Sequence, residues 1–268
     1  HSVTVTHDHP AAALLLDFLF RDVENHITDS AEGAIRFRII GKESDSNWEL
    51  YRNDAALFRG PDINGLGNIL LGEVLFHLIE HNRNGMALHA GLVSGPAGAW
   101  ILPAESGSGK TSVTTWLLTR GYHYHTDELV ILDPVRQVLS AFTRPLNVKT
   151  PGLDAIGNLV DLDAVRDEIR TSAMVTMIPH RLINPDYRSE VPALSAIIFP
   201  HYSGDTMPEL QELSGAEAGL ELMRSNVIAR NLPGHGFGDV VQLVRQLPAY
   251  RLFYQHFSDL DDLTRAIG

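Results

Sequence analysis

The sequence predicts an α/β fold built around a strand–loop–helix unit near the middle of the chain, with a small strand-rich module ahead of it. Three observations carry this. The stretch Ala104-Glu105-Ser106-Gly107-Ser108-Gly109-Lys110-Thr111 lies between an apolar run, Ala99-Trp100-Ile101-Leu102-Pro103, and a helix-like run over residues 112–118. Segments that alternate apolar and polar residues recur on both sides of it, as half-buried strands do. An acidic pair, Asp127-Glu128, follows one further strand-like segment, Tyr122-His123-Tyr124-His125-Thr126.

Residues 1–60 read as a small α+β N-terminal module and residues 61–268 as the main domain. In the module, Val3-Thr4-Val5-Thr6 alternates like a strand and Pro10 opens an apolar helix over residues 11–20. Residues 35–40 and 48–52 have period two, and Gly60-Pro61 is a turn that marks the boundary. No motif in the module carries chemistry. His7-Asp8-His9 lacks a third ligand at metal-binding spacing and reads as an exposed loop.

Residues 67–82 form an amphipathic helix with Leu70, Leu71, Val74, Leu75, Leu78 and Ile79 on one broad face. It contains His77-Leu78-Ile79-Glu80-His81, a literal H-x-x-E-H string. In a zinc protease those histidines hold metal and the glutamate is the base. That site needs a third ligand, which the sequence does not identify, so the solvated side of a core helix is expected. Residues 86–94 read as a strand, Gly95 to Gly98 as a tight turn, and the next strand delivers the glycine-rich loop. So short a hairpin does not precede the loop strand of ordinary Ras-like or Rossmann-like folds.

Gly121 suits the C′ position that ends the helix after the loop. Strands follow at residues 122–126 and 129–133, with a turn at Pro134. Residues 159–169 read as an acidic helix and 173–178 as a strand. The stretch 179–192 holds His180, Arg181 and Arg188 among turn residues. It reads as a mobile substrate or phosphate clamp, or as a solvated surface loop, with the loop expected. Residues 194–199 form a buried-type strand closed by Pro200. Ser214-Gly215-Ala216-Glu217 opens a helix as a capping box. Gly234-His235-Gly236-Phe237-Gly238 is a loop with no strand leading in, hence no phosphate motif. A helix at 239–246, a strand at 251–254 and a helix at 259–267 complete the chain.

The chain has 268 residues, 44% hydrophobic and 20% charged, as globular proteins do. Its net charge is −12 with no basic run, which excludes a nucleic-acid partner. It has no cysteine, which excludes disulfides and thiolate chemistry and fits a reducing compartment. The apolar run at residues 11–16 is too short to span a bilayer, and no basic segment precedes it as in a signal peptide. A cytoplasmic protein without a membrane partner is expected.

The loop's residue types suit phosphate. Glycines let consecutive backbone N–H groups turn inward around phosphate oxygens, and the helix N-terminus adds its positive dipole end. Ser106, Gly107, Ser108, Gly109, Lys110, Thr111 and Ser112 are therefore candidate nucleotide-binding residues. Lys110 would reach the β- and γ-phosphates, and the Thr111 hydroxyl would ligate magnesium. Two carboxylates brought beside those phosphates suit phosphoryl transfer: one ligates magnesium, the other accepts the proton of an attacking hydroxyl. The alternative for Asp127-Glu128 is an ordinary acidic turn between strands.

These residues resemble bacterial HPr kinase/phosphorylase and its related kinases. The likeness runs through Leu88-His89-Ala90-Gly91-Leu92-Val93, the loop, and Arg120-Gly121 leading to Thr126-Asp127-Glu128-Leu129-Val130. It continues at Arg144-Pro145-Leu146-Asn147-Val148-Lys149, spans roughly residues 86–255, and is strongest over 86–133. The resemblance implies an HPr kinase/phosphoenolpyruvate carboxykinase-like P-loop kinase core that uses ATP and magnesium. It gives Asp127 the general-base role, Glu128 a magnesium-ligand role assisted by Thr111, and Arg144 the place of an active-site arginine. Lys149 approaches phosphate in this likeness. His89 falls at a histidine close to the active site, although the residues alone equally allow a satisfied sheet histidine. The expected acceptor is a serine or threonine hydroxyl on a peptide or protein, a ribosomal peptide precursor being one candidate. The family enzyme is hexameric, which makes a homo-oligomer compatible with the likeness.

The chain departs from the family pattern in three places. Ala104 stands where the loop usually has its first glycine, Glu128 where the second carboxylate is aspartate, and Arg144-Pro145 where HPr kinase has Arg-Gly. The last difference argues against HPr itself as substrate. A kinase for a small-molecule hydroxyl and a nucleotide-binding sensor that transfers nothing are the alternatives.

Overall fold

The computed structural model describes residues 2–23, 35–42, 47–105, 107–135 and 138–267. It is a mixed α/β protein with several sheets and seven α-helices among the described residues. The first strands and helices are β1 (Val3–His7), α1 (Pro10–Phe20), β2 (Ile35–Lys42), β3 (Asn47–Arg52) and β4 (Ala55–Gly60). They form a four-stranded sheet in the order β1-β2-β3-β4, parallel at β1–β2 and antiparallel elsewhere. β4 lacks the alternation that marks β2 and β3, and its pairing with β3 shifts register between Leu50 and Tyr51.

Helix α2 (Ile63–Ile79) starts four residues before the expected position. Asp62 causes this: its Oδ1 accepts the N–H groups of Asn64 and Gly65, at 3.0 and 2.9 Å. Leu66, Leu70, Leu71 and Val74 pack with Leu15, Leu19, Phe37 and Leu50 in one apolar cluster. Farther along, Leu75 and Ile79 join the core of the main sheet. One helix thus serves two cores.

The remaining elements are β5 (Met86–Gly95), β6 (Gly98–Pro103), α3 (Lys110–Thr119), β7 (His123–Thr126), β8 (Leu129–Asp133) and β9 (Val138–Ala141). After them come β10 (Leu146–Lys149), α4 (Leu153–Gly157), β11 (Arg170–Thr171), β12 (Val175–Ile178), β13 (Leu194–Tyr202) and β14 (Glu209–Glu212). Helices α5 (Gly215–Ser225) and α6 (Phe237–Gln246), strand β15 (Ala249–Tyr254) and helix α7 (Phe257–Arg265) finish the chain. The large sheet has the order β14-β15-β13-β6-β5-β8-β9, with β7 also pairing β5. β13 runs parallel to both β6 and β15, while β5 and β6 form the antiparallel hairpin read from sequence. A separate antiparallel sheet, β10-β12-β11, lies beside it.

Apolar clusters cover both faces of the large sheet. Leu88, Leu92, Ile101 and Ile197 pack with Leu222 of α5 and Val240 and Leu243 of α6. Trp100, Leu102, Ala196 and Ile198 pack with Val113, Trp116 and Leu117 of α3 and Leu260 of α7. Side chains alternate between those two sets along β6 and β13, the period-two rule of a strand buried on both faces.

Four expectations need correction. Residues 159–169 are turns rather than a helix. Asp161 Oδ1 takes the Ala164 N–H at 3.1 Å, as a helix N-cap does, but only turns follow it. Pro200 lies inside β13 rather than after it. β13 pairs with β6 only as far as Ile197, so beyond that point β15 is its one paired neighbour and a missing N–H is tolerated. His77 is buried, not solvated, with Nδ1 2.5 Å from Glu80 Oε1, whereas His81 is exposed. His180, expected in a solvated loop, is buried too. Among the described residues no helix is long and apolar enough to cross a membrane.

Candidate functional site

The glycine-rich loop joins the end of β6 to the start of α3, at the centre of the large sheet. Gly107 and Gly109 have φ of +91° and +92°, a region open to glycine at little cost. A Cβ on Gly109 would lie 2.0 Å from the Tyr254 hydroxyl oxygen, so a side chain there would have to displace Tyr254. Two bonds from the neighbouring strands fasten the loop. The Tyr202 N–H donates to Ser108 O at 2.9 Å, and the Tyr254 hydroxyl donates to Gly109 O at 3.1 Å. Ser106 lies outside the described residues, and Ser112 lines the pocket above the loop.

Lys110, the first residue of α3, is buried, and its ammonium is held between two strands. Nζ meets His89 Nε2 at 3.1 Å and donates to the backbone carbonyl of Asp127. Burial lowers the Lys110 pKa, against the opposing pull of Asp127 and Glu128. Burial, and next the Lys110 ammonium, also lowers the pKa of His89. The imidazole is therefore neutral near pH 7, which leaves Nε2 able to accept from the lysine.

Asp127 sits at the end of β7, 1% exposed, where four groups converge on its carboxylate. The Thr111 hydroxyl donates to Oδ2 at 3.3 Å, and the Asn147 N–H reaches the same oxygen at 3.4 Å. The Tyr124 hydroxyl lies 3.2 Å from Oδ1 and 3.0 Å from the Arg144 carbonyl. Arg144 Nε is 3.6 Å from Oδ1. Glu128 faces the opening, its side chain one-third exposed at 33%. Its Oε2 pairs with Arg144 Nη2 at 2.5 Å, and its Oε1 is 3.8 Å from His89 Nε2. Burial alone would lower the pKa of Arg144, but the Asp127 and Glu128 carboxylates outweigh it and hold it raised. Lys110, Asp127 and Arg144, all buried, and the half-buried Glu128 thus form a set of two cations and two anions. Such a set is costly to break by removing one member.

Above these groups opens a pocket of about 960 Å³. Its floor is the loop with Lys110, Thr111, Asp127 and Glu128. One wall follows β10 and α4 from Asn147 to Asn158 and includes Lys149. The other carries Tyr202 and Tyr254 to Phe257. Among the described residues, the buried hydroxyl of Ser108 and Nε of Arg144 have no hydrogen-bond partner. Arg144 Nε faces Asp127 Oδ1 and Ser108 does not line the pocket, so the groups that fit the oxygens of a phosphate chain are the α3 N-terminus and the Lys110 ammonium on the pocket floor. Magnesium is commonly held by one or two carboxylates plus substrate phosphates and water, and Thr111 with Asp127 supplies that short donor set. Among the described residues no group of three or more His, Asp or Glu is arranged as a metal cage, the H-x-x-E-H segment included.

All the described candidate residues therefore meet at one place: His89 from β5, the loop, Asp127 and Glu128 between β7 and β8, and Arg144 ahead of β10. Sequence reasoning missed Tyr124, Asn147, Tyr202 and Tyr254. Tyr124 lies three residues before Asp127, and Asn147 and Tyr202 fall in the stretches 144–149 and 198–202 that share the family likeness, although no role was read for them; Tyr254 carries no local hint. The stretch 179–192 does not line this pocket; its later part, with Arg188 63% exposed, is the surface loop expected from sequence, while its start is built into the fold through His180. His180 Nε2 lies 2.9 Å from Asp22 Oδ2, the Arg181 guanidinium pairs with the same carboxylate, and the imidazole stacks on Tyr124 at 4.7 Å. It fastens the end of α1 to the back of Tyr124. Comparison with protein-family models and with curated proteins finds no match to this chain.

Proposed function

We propose that the chain is an ATP- and magnesium-dependent kinase of the HPr kinase-like group, with a phosphoenolpyruvate carboxykinase-like P-loop core. It transfers a phosphoryl group to a serine or threonine hydroxyl on a peptide or protein. One observation carries the reading. Lys110 is held by His89 and the Asp127 carbonyl, and Thr111 by the Asp127 carboxylate, under a pocket large enough for a nucleotide. A cytoplasmic setting, rich in ATP and reducing, suits a chain with no cysteine.

Bound Mg-ATP would supply the transferable phosphoryl group and the metal charge that offsets its oxygens. The chain's own part is positioning and charge. The loop amides and Lys110 hold phosphate oxygens. Arg144 keeps the two carboxylates at fixed positions. The β10–α4 wall, continuous with Arg144 and Asn147, is the approach for the acceptor hydroxyl, whose proton passes to a carboxylate.

Two divisions of labour are open to that carboxylate pair. The family likeness makes Asp127 the base and Glu128 the metal ligand. The contacts favour the reverse: the metal-binding hydroxyl of Thr111 lies on Asp127, which is 1% exposed, whereas Glu128 is one-third exposed to an incoming substrate. Transfer from labelled ATP to lysate peptides, read by phosphopeptide mass spectrometry, tests both levels. A base variant keeps ATP and magnesium affinity and loses transfer; a metal-ligand variant recovers activity at high magnesium. Glu128→Gln showing the first pattern and Asp127→Asn the second supports the reversed roles. If the wild type binds ATP, phosphorylates nothing and is unaffected by either change, the kinase reading gives way to a sensor.

A further inference from the structure

We infer that Tyr202, on the side of the loop away from the carboxylates, is the platform on which the base of a nucleoside triphosphate stacks. The inference rests on the phosphate-loop reading and adds the part of the ligand that the loop does not touch. The sheet order supplies the direction. On one side of β6, strands β5, β7 and β8 bring His89, Asp127 and Glu128 to the loop; on the other, β13 and β15 end in Tyr202 and Tyr254. A phosphate chain whose terminal group lies at Lys110 and the carboxylates has its other end over β13 and β15. Ligands of open α/β sheets lie outside the carboxyl ends of the strands in the same way.

Tyr202 is built for a contact that the chain itself does not make. It is 56% exposed although it lines the pocket. Its ring leans on Tyr254, centroids 5.6 Å apart, and its own N–H is one of the two bonds that fasten the loop. The turn that follows is tied down. The Gln255 side-chain amide donates to the carbonyls of Gly204 at 3.1 Å and Thr206 at 2.9 Å, and the Ser203 N–H donates to Tyr254 O at 3.2 Å. An exposed aromatic ring on a fixed turn loses little freedom when a flat ring covers it.

The test compares Mg-ATP with Mg-tripolyphosphate, which has the phosphates and no base, by titration calorimetry. Tyr202→Ala retains the backbone bond to Ser108, so it should weaken ATP binding roughly tenfold to a hundredfold, leave tripolyphosphate unchanged, and leave Tyr202→Phe close to wild type. Equal weakening of both ligands would assign Tyr202 to the loop's structure, and no weakening of either would leave the base elsewhere; each overturns the inference. A wild type that binds neither ligand overturns the phosphate-loop reading itself, which separates the two failures.

Discussion

Acid should destabilise this protein through His125. The residue lies in β7, 1% exposed, with Nε2 2.9 Å from the Ser94 hydroxyl. Burial, and next the nearby His123 and His180, lowers its pKa to about 4. The folded chain therefore keeps this imidazole neutral, while the unfolded chain takes up a proton below about 6.5. Its contribution to stability is complete above that pH and is lost as the pH falls towards 4. At about 1.4 kcal/mol per pH unit, the loss attributable to this one residue is about 3 kcal/mol. Other groups titrate over the same range, so the informative quantity is a difference between two proteins. Urea unfolding of the wild type and of His125→Gln at pH 7, 6, 5 and 4 provides it. The wild type should lose about 3 kcal/mol more than the variant across that span. Parallel curves would refute the reasoning, because they would mean that His125 is not held neutral by the fold.

Two glycines should respond to alanine in opposite ways. Gly109→Ala places a methyl 2.0 Å from the Tyr254 hydroxyl at φ of +92°, and should lower the melting temperature by several degrees and weaken ATP binding. Gly72→Ala adds a methyl to open space inside α2 and should stabilise by up to about 1 kcal/mol, read by the same melts. Tyr124→Phe removes the hydroxyl shared by Asp127 and the Arg144 carbonyl, at a cost of about 1–3 kcal/mol. In labelled-phosphate assays it should lower kcat more than ATP affinity, since its partner is a carboxylate and not the loop.

The sequence was informative where the physics is local. The alternation in residues 35–40, the capping box at Ser214, which recurs in the structure with Glu217, and the loop between an apolar strand and a helix all depend on neighbours a few positions apart. What escaped depends on distant partners. β14 is a polar edge strand, Glu209–Glu212, that becomes a strand because β15 pairs with it. The acidic stretch at 159–169 has apolar residues at helical intervals, yet it folds as a run of turns in which Asp161 takes the Ala164 N–H and Asp163 pairs with Arg166. His180 looks like any loop histidine until Asp22, 158 positions away, is brought against it. The candidate site shows both kinds. Lys110, Thr111 and the acidic pair were picked out by residue type, and the structure brings them together. That Thr111 meets Asp127 while Glu128 meets Arg144 is set by the packing of α3 against the strands on either side, and no spacing rule foretells it.

The kinase reading stands on a nucleoside triphosphate in the pocket over this loop. Titration of Mg-ATP into the wild type and into Lys110→Met, with circular dichroism to show that both are folded, tests it most directly. One ATP should bind per chain, with at least a tenfold loss in the variant. A folded wild type that takes up no ATP, or a variant that binds as tightly as the wild type, would contradict it.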